Sequence, residues 1–282
     1  MSYRKLQPAE VLKPYVESIW IQEDLTYDPN WQPTRIIPTT RSDMLFYFRE
    51  PFVTHSNGGS EKIPMCVLHG QMTKPLHVSA TGKTGLIIFS FYPWGIAPFI
   101  NIPFYEFTDK SIDLGLVFGH KVIRELHEKI VDSNTNEDRI KLIEDFLINN
   151  LPENPVDHFG CKFAKLINQR LGNVQLTGIA KELNISRRHL QRRFSLATGL
   201  SPKQFAEIIR FQKALYLKRK GYHWADIAET CGYYDQSHFI KKVKTFTGTS
   251  PEKIYADVKP TKLMRYFNTV EQMSHFYNTI YL

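Results

Sequence analysis

The chain has 282 residues and a mass of 32.9 kDa, with 42% hydrophobic and 13% aromatic residues, which is enough for two domains with packed cores. It contains no run of about 18 apolar residues, so a membrane helix is excluded. The three scattered cysteines argue against a disulfide framework. Because the first residues also lack the apolar core of a signal peptide, we expect a cytoplasmic protein.

The N-terminal region is predicted to be rich in β-strands up to about residue 108. Short apolar segments bounded by glycine, proline or lysine recur at a spacing typical of a small barrel or sandwich. After an extended start over residues 1–22, the predicted strands are Arg35–Pro38, Asp43–Phe48, Met65–His69, Leu76–Ala80 and Gly85–Phe91. The almost continuous apolar run in the second of these predicts a strand that is buried on both faces. Residues 50–62 are rich in turn formers and are expected to be exposed.

A change in pattern follows this predicted barrel. Residues 93–109 combine three prolines with many aromatic residues, which predicts an irregular segment packed over the barrel mouth. Helical spacing then dominates residues 111–151, and the proline-containing stretch 151–158 is the best candidate for a domain boundary. We therefore expect one domain over residues 1–153 and another over residues 158–258.

The second domain is organised by an internal repeat between Leu176–Pro202 and Trp224–Pro251. The two copies share their apolar positions and differ in the polar ones, which is typical of one structural unit used twice. The equivalent pairs are Ile179/Ile227, Ala180/Ala228, Leu183/Cys231, Ile185/Tyr233, His189/His238, Leu190/Phe239, Arg193/Lys242, Phe194/Val243, Thr198/Thr247, Gly199/Gly248, Ser201/Ser250 and Pro202/Pro251.

Each copy reads as two short helices joined by a tight turn. The first helix is expected to end at Asn184 or Gly232, residues that tolerate a left-handed backbone. The second is expected to begin after the N-cap residue Ser186 or Asp235, and each copy ends in a Ser-Pro pair that starts another helix. This arrangement is a helix-turn-helix, and we place the two units at residues 176–197 and 224–246.

The second helix of each unit carries the polar residues that suit DNA. Arginine and glutamine pair with the edges of guanine and adenine in a major groove. A solvated helix face is the alternative for one such helix, but two copies in one register favour DNA binding. The predicted DNA-contacting residues are Arg187, Arg188, Gln191 and Arg192 in the first unit, and Gln236, Ser237, Lys241 and Lys244 in the second.

The charge distribution agrees with this interpretation. The whole chain has a formal net charge of +8. Residues 158–258 contain 18 Lys and Arg against 7 Asp and Glu, a net +11, so the rest of the chain carries −3. Basic charge concentrated in one domain is typical of nucleic-acid binding.

These motifs resemble the DNA-binding domain of the AraC/XylS family of bacterial transcription regulators. The resemblance covers about residues 158–258 and rests on the Ile-Ala, Ser-x-x-x-Leu-x-x-x-Phe, Cys-Gly-Tyr, Asp-Gln-Ser-His-Phe and Gly-x-Ser-Pro elements. It implies an all-α domain whose two helix-turn-helix units are joined by a rigid helix and enter successive major grooves. The sequence departs from the family's pattern at Gln175 and His223, where a better N-cap is usual, and at Val243, where Phe is commoner.

The N-terminal half resembles the cupin-like sensor domain that precedes many AraC-type regulators, through PYVESIW, the Asp-Met-Leu-Phe-x-Phe strand and the 93–109 segment. The resemblance implies a small barrel that binds an effector or supports dimerisation. Six aromatic residues are candidates for lining an effector pocket, with ordinary core packing as the alternative. They are Trp20, Phe46, Phe48, Phe89, Phe91 and Trp94.

An enzymatic role is the competing interpretation of this half. Several histidines lie near the predicted strands, and a cupin barrel can hold a metal. However, there is no His-x-His pair with a downstream His and carboxylate, and the Cys66–His69 pair lacks a second half. Nucleophile and phosphate-binding motifs are missing as well. We therefore predict no catalytic residues, no metal and no cofactor.

The predicted fold is α+β with two domains, a cupin-like β-barrel with helices followed by an all-α double helix-turn-helix domain. An aromatic helical tail over residues 259–282 is expected to dock on its own chain or on a second subunit. The predicted function is sequence-specific transcription regulation through double-stranded DNA. RNA polymerase, a small-molecule effector and a second copy of the chain are further candidate partners. The alternatives left open are a metal-dependent cupin enzyme fused to a DNA-binding domain, and a regulator controlled by oligomerisation alone.

Overall fold

The computed structural model describes residues 2–27, 33–56, 58–151, 158–173 and 175–256, and has a strand-rich N-terminal part followed by a helical C-terminal part. The strands are β1 Ser2–Leu6, β2 Val16–Asp24, β3 Thr34–Ile36, β4 Ser42–Tyr47, β5 Phe52–Ser56, β6 Gly59–Lys62, β7 Cys66–His69, β8 Leu76–Ala80, β9 Thr84–Phe91 and β10 Ser111–Asp113. The α-helices are α1 Leu114–Phe118, α2 His120–Asp132, α3 Asn136–Asn149, α4 His158–Gln169, α5 Leu176–Glu182, α6 Arg187–Thr198, α7 Pro202–Arg219, α8 Trp224–Thr230, α9 Gln236–Thr247 and α10 Pro251–Ala256. The predicted tail and most of the predicted domain boundary lie outside the described residues.

The strands form two antiparallel sheets. One has the order β1-β2-β9-β4-β7-β10 and the other the order β3-β8-β5-β6. Side chains from both sheets meet in one cluster, here called the inner core, which includes Leu45, Tyr47, Phe52, Val78 and Ile88. The expected barrel is thus two sheets packed face to face, and among the described strands no pairing joins them into one closed ring.

The opposite face of the six-stranded sheet is also buried. Because successive side chains on a strand point to opposite faces, Met44 and Phe46 of β4 and Phe89 of β9 turn away from the inner core. They pack with residues of α2 and α3 such as Ile130 and Ile143 in a cluster that we call the outer core. The prediction that the Asp43–Phe48 run is buried on both faces is confirmed.

The prediction that residues 50–62 form a turn-rich exposed tract is wrong in part. They form the β5–β6 hairpin, in which Val53 pairs with Lys62 and β5 pairs further with β8. Phe52 anchors the hairpin in the inner core, whereas β6 is exposed along its whole length. Two adjacent buried positions, Pro51 and Phe52, at one end of a polar stretch give too weak a periodic signal to predict a strand.

The helices α4 to α9 pack around their own core, here called the C-terminal core. Phe194, Phe205 and Phe211 are fully buried in it, and α7 runs through its centre. Two residues of the N-terminal part, Ile37 and Trp94, belong to this same cluster. The C-terminal core is therefore completed by side chains from the other half of the chain.

The segment 93–109 connects the two halves instead of covering a barrel mouth. Its 3-10 helix Phe104–Phe107 lies against α6, and its Phe99 and Phe104 are buried in the outer core. Two hydrogen bonds cross between the halves beside it. The Thr108 hydroxyl donates to the Gly199 carbonyl oxygen at 2.8 Å, and the Gln212 amide donates to the Pro38 carbonyl oxygen. We call this contact region the domain joint. Within the described ranges, no helix is both long and apolar enough to cross a membrane.

Candidate nucleic-acid interface

Both helix-turn-helix units are present, and each turn is set by a residue with a left-handed backbone. Asn184 has φ 50° and Gly232 has φ 69°, and both follow the first helix of their unit. The side chain of Ser186 accepts a hydrogen bond from the His189 amide, and that of Asp235 accepts one from the His238 amide. The predicted stops and N-caps of the two units are therefore confirmed.

The ends of the second helices are also equivalent. α6 ends at Gly199 with φ 77°, and α9 ends at Gly248 with φ 74°. Ser201 then caps α7 in a capping box with Gln204. Neither Gln175 nor His223 makes a side-chain capping bond to the first helix of its unit, as their departure from the family's pattern suggested.

In the first unit, α6 has one buried and one exposed face. Leu190 and Phe194 have no exposed surface. Arg188 and Arg192 are exposed on the other side and Gln191 is half-buried between them. Residues spaced by three and four positions lie on one side of a helix, so these three polar side chains form a single patch. The predicted contact residue Arg187 is exposed at the first position of the same helix.

In the second unit, α9 repeats this division. Phe239 and Val243 have no exposed surface, whereas Gln236, Ser237, Lys241 and Lys244 are all exposed. The last three line one open surface depression together with Ile240 and Thr245. The second polar patch is therefore continuous along α9. All eight predicted DNA-contacting residues lie on α6 or α9, and Gln191 is the one that is half-buried.

Two neighbouring cations have other partners. The guanidinium carbon of Arg193 lies 4.2 Å from the centre of the Phe159 ring, and Lys242 pairs with Glu207 of α7 at 2.8 Å. Both contacts fix the second helix of a unit against another helix. These equivalent positions of the repeat therefore serve packing within the domain.

Sequence reasoning missed one exposed aromatic residue at this surface. Tyr234 lies in the turn before α9 and is 92% exposed. The signal was available, because the second unit has one more residue in this turn than the first. Tyrosine is enriched at interfaces, because its ring is apolar while its hydroxyl forms hydrogen bonds.

The six aromatic residues that were candidates for an effector pocket lie in three different cores. Four of them, Phe46, Phe48, Phe89 and Phe91, belong to the outer core. Trp20 packs on the inner core, where its indole donates to the Ser18 hydroxyl at 3.0 Å. Trp94 is part of the C-terminal core. Among the described residues, these six side chains therefore do not surround a common cavity, and ordinary core packing explains most of them.

A different group of residues lines a small cleft of about 40 Å³ at one end of the inner core. Its polar wall contains Arg41, Asp43, His69 and Ser90. The Ser90 hydroxyl donates to the Asp43 carboxylate at 2.6 Å, and burial raises the pKa of Asp43. Burial lowers the pKa of His69 to about 4, so its ring is neutral at pH 7. The cleft could not be predicted from the sequence, because its residues come from separate strands and loops.

The described residues contain no group of three or more His, Cys, Asp or Glu placed to hold a metal ion. The cysteine of the Cys66–His69 pair is buried, which raises the pKa of its thiol to about 12. Burial likewise raises the pKa of Cys231 to about 11. Both thiols are therefore protonated at neutral pH and act as packing residues.

Comparison with protein families finds two matches. Residues 179–257 match a family described as a helix-turn-helix domain, and residues 4–113 match a domain of unknown function, DUF6597. Among curated proteins, the Msm operon regulatory protein of Streptococcus mutans is 30% identical over 122 residues, 42% of this chain and 44% of that protein. The HTH-type transcriptional activator RhaS of Escherichia coli is 29% identical over 103 residues, 36% and 37% of the two chains. The chain thus spans less than half the length of these relatives.

Two solved structures are also similar. The structure of ToxT from Vibrio cholerae covers 92% of this chain and 100% of its own, with 13% identity and a TM-score of 0.47. The C-terminal domain of AraT, a response regulator from Geobacillus stearothermophilus, covers 36% of this chain and 90% of its own, with 25% identity and a TM-score of 0.33.

Two capped helix-turn-helix units with outward polar second helices define a double helix-turn-helix DNA-binding domain. The matched family and the curated relatives agree with this domain, because the chain is similar over 103 to 122 residues to curated transcription regulators.

Proposed function

We propose that the chain is a sequence-specific transcription regulator that places α6 and α9 in successive major grooves of double-stranded DNA. The observation that carries the proposal is the matched exposure of the two polar patches. Arg188 and Arg192 on α6, and Gln236 and Lys241 on α9, face away from the core that buries the rest of each helix. Side chains in this position can reach base edges while the domain keeps its packing.

The helix between the two units supports the proposed spacing. α7 has 18 residues, so its length is about 27 Å at a rise of 1.5 Å per residue. Successive major grooves on one face of DNA are about 34 Å apart. A rigid element of this length, with a helix-turn-helix on either side, suits two neighbouring grooves.

We propose that the chain is a cytoplasmic transcription factor and that its N-terminal domain regulates the DNA-binding domain. The contacts of the N-terminal domain with α6 and α7 offer a route by which a change in this domain would reach the DNA-binding domain. A metal-dependent enzyme gains no support from the described residues. RNA polymerase and a second copy of the chain are further proposed partners.

The test is a binding selection of the full chain on randomised double-stranded DNA, followed by fluorescence anisotropy on the selected site. Substitution of Arg188 or Lys241 by alanine should weaken binding to the selected site. Lys83→Ala is the matched control, because it removes an exposed positive charge from the N-terminal domain. If no sequence is enriched, or if the three variants bind alike, the proposal is wrong.

A further inference from the structure

The turn between α8 and α9 contains a residue that the first unit lacks. Between the left-handed residue and the N-cap, the first unit has only Ile185, whereas the second has Tyr233 and Tyr234. Ile185 packs against the C-terminal core, and Tyr233 is buried in it. Because these two residues are equivalent in the repeat, Tyr234 is the inserted residue.

Tyr234 does not contribute to the packing of the domain. It is 92% exposed, and within the described part of the chain it makes no hydrogen bond, ion pair or ring contact. The ring of Tyr233 packs instead, at 5.0 Å from the ring of Phe239 and 5.6 Å from that of His238. A single exposed aromatic residue is common on protein surfaces, so its position and its neighbours must indicate whether it binds a partner.

The backbone on both sides of Tyr234 is fixed. Arg210 of α7 donates a hydrogen bond to the Gly232 carbonyl oxygen at 3.2 Å. The Asp235 carboxylate accepts a hydrogen bond from the His238 amide at 2.7 Å. A tyrosine on such a turn has only two side-chain torsions left to order, so binding through its ring costs little conformational entropy.

The position of Tyr234 is next to the second polar patch. It precedes Gln236, the first residue of α9, by two positions, and both Gln236 and Ser237 are exposed. In a helix-turn-helix bound to DNA, the N-terminal residues of the second helix contact base edges. A residue directly before them therefore lies at the edge of the same groove.

The second unit has lost the base-pairing side chains of the first. In the register of the repeat, Arg188, Gln191 and Arg192 of α6 correspond to Ser237, Ile240 and Lys241 of α9. The first set can form bidentate hydrogen bonds to guanine or adenine, but serine, isoleucine and lysine offer fewer such bonds. Apolar contact is thus a larger part of what the second unit presents to a groove.

The apolar group that a base pair presents in the major groove is the C5 methyl of thymine. Ile240 is half-buried against the C-terminal core, whereas the ring of Tyr234 is exposed. We propose that the Tyr234 ring packs on the methyl group of one thymine in the groove that α9 enters, and thereby adds a base preference that the first unit does not have. This contact rests on the proposed function, because it requires α9 in a major groove.

The experiment starts from the site that the full chain selects from randomised double-stranded DNA. Each thymine of this site is replaced in turn by deoxyuridine, which lacks only the methyl group. At one thymine the replacement should weaken wild-type binding by about fourfold, the value expected for one buried methyl group. In Tyr234→Ala the same replacement should have no effect, and a new selection should no longer prefer thymine at that position.

Two further variants control for the ring and for folding. Tyr234→Phe keeps the ring, so it should remain sensitive to the deoxyuridine replacement. Tyr27→Ala removes an exposed tyrosine from the N-terminal domain and should behave as wild type. Thermal unfolding of Tyr234→Ala should also match that of wild type, because the side chain makes no packing contact.

The outcomes separate this contact from the proposed function. If wild type enriches no sequence, the proposed function is wrong and the thymine contact is wrong with it. If wild type selects a site but Tyr234→Ala keeps every effect of deoxyuridine, the thymine contact alone is overturned. Loss of the effect in Tyr234→Phe, or equal weakening of all sequences by Tyr234→Ala, would likewise overturn it and leave the proposed function standing.

Discussion

The hydroxyl of Thr108 donates a 2.8 Å hydrogen bond to the carbonyl oxygen of Gly199, across 91 residues of sequence. Thr108 lies near the end of the segment 93–109, directly after the 3-10 helix Phe104–Phe107, and Gly199 ends α6. The bond therefore fixes the end of α6 to the N-terminal domain. It also makes Gly199 different from Gly248, its equivalent in the repeat.

Alanine at these two glycines should separate backbone strain from domain contact. Both residues have a left-handed backbone, so either substitution should cost about 1–2 kcal/mol of unfolding free energy. An added Cβ at Gly199 would lie 3.0 Å from the Phe104 ring, whereas at Gly248 the nearest atom is at 3.7 Å. We expect Gly199→Ala to cost about 1 kcal/mol more, because overpacking adds to the strain. Thermal unfolding of the two variants measures this difference. Equal losses of unfolding free energy would show that the Phe104 ring moves aside at no cost.

The patch on α6 should read bases. Alanine at Arg188, Gln191 or Arg192 should lose about 1–3 kcal/mol of binding free energy and relax the preference at one or two base positions, if the side chain reaches a base edge. Alanine at Lys244 should weaken binding to all sequences about equally, as expected for a phosphate contact. Binding selections with wild type and each variant measure both effects. Unchanged base preferences in all three α6 variants would mean that another face of the helix enters the groove.

Arg193 provides the matched comparison for Arg192. Its guanidinium stacks on Phe159 at 4.2 Å, so it helps to hold α4 against α6. We expect Arg193→Ala to lower the free energy of unfolding by about 0.5–1 kcal/mol without altering base preference. Chemical unfolding and the same binding selection measure the two quantities. An altered base preference in Arg193→Ala would assign this residue to the DNA interface instead.

Salt should weaken binding steeply. The C-terminal domain carries a net +11 over residues 158–258, and its Lys and Arg side chains should neutralise several phosphates. Each such contact contributes about −0.9 to the slope of log affinity against log salt. Lys244→Ala should make the slope less negative by about one contact, whereas Lys83→Ala should leave it unchanged. Affinity that hardly changes between low and physiological salt would contradict DNA binding through this domain.

Acid should destabilise the N-terminal domain through His69. Its ordinary pKa of about 6.5 applies in the unfolded chain, while burial lowers the pKa to about 4 in the folded one. Between these values the unfolded state binds more protons, so stability falls as pH falls from about 6.5 to 4 and this contribution then levels off. The largest slope is about 1.4 kcal/mol per pH unit. His69→Gln should reduce the slope measured by unfolding across this window.

The control for the histidine substitution is His223→Gln. His223 is exposed and makes no side-chain capping bond at α8. The slope of this variant should match that of wild type. If His69→Gln and wild type also have equal slopes, then His69 titrates in the folded protein much as it does in the unfolded chain.

The sequence predicted the C-terminal domain in detail because its signals are local. A cap such as Ser186, a stop such as Asn184 and an apolar position such as Phe194 each act within one helical turn. Because the unit is repeated, each of these caps, stops and apolar positions occurs twice in the sequence. The outward patch on α6 followed from the same spacing, since burial of Leu190 leaves its opposite side exposed.

The N-terminal site could not be predicted in the same way. Phe89 and Ile88 are adjacent on β9 and are both fully buried, yet they face different cores. Aromatic content alone does not reveal which face of a doubly covered sheet a side chain occupies. The sequence likewise does not reveal that Trp94 packs in the core of the other domain. The cleft polar wall joins residues 41, 43, 69 and 90, and this proximity depends on strand pairing over long distances in the chain.

The proposal that α6 and α9 read successive major grooves is tested most directly by hydroxyl-radical footprinting of the monomeric full chain on its selected site. Two protected blocks about ten base pairs apart on one face of the DNA are expected. Gln236→Ala with Lys241→Ala should weaken one block, and Arg188→Ala with Arg192→Ala should weaken the other. A single short block for each monomer, or the loss of one and the same block in both double variants, would contradict the account.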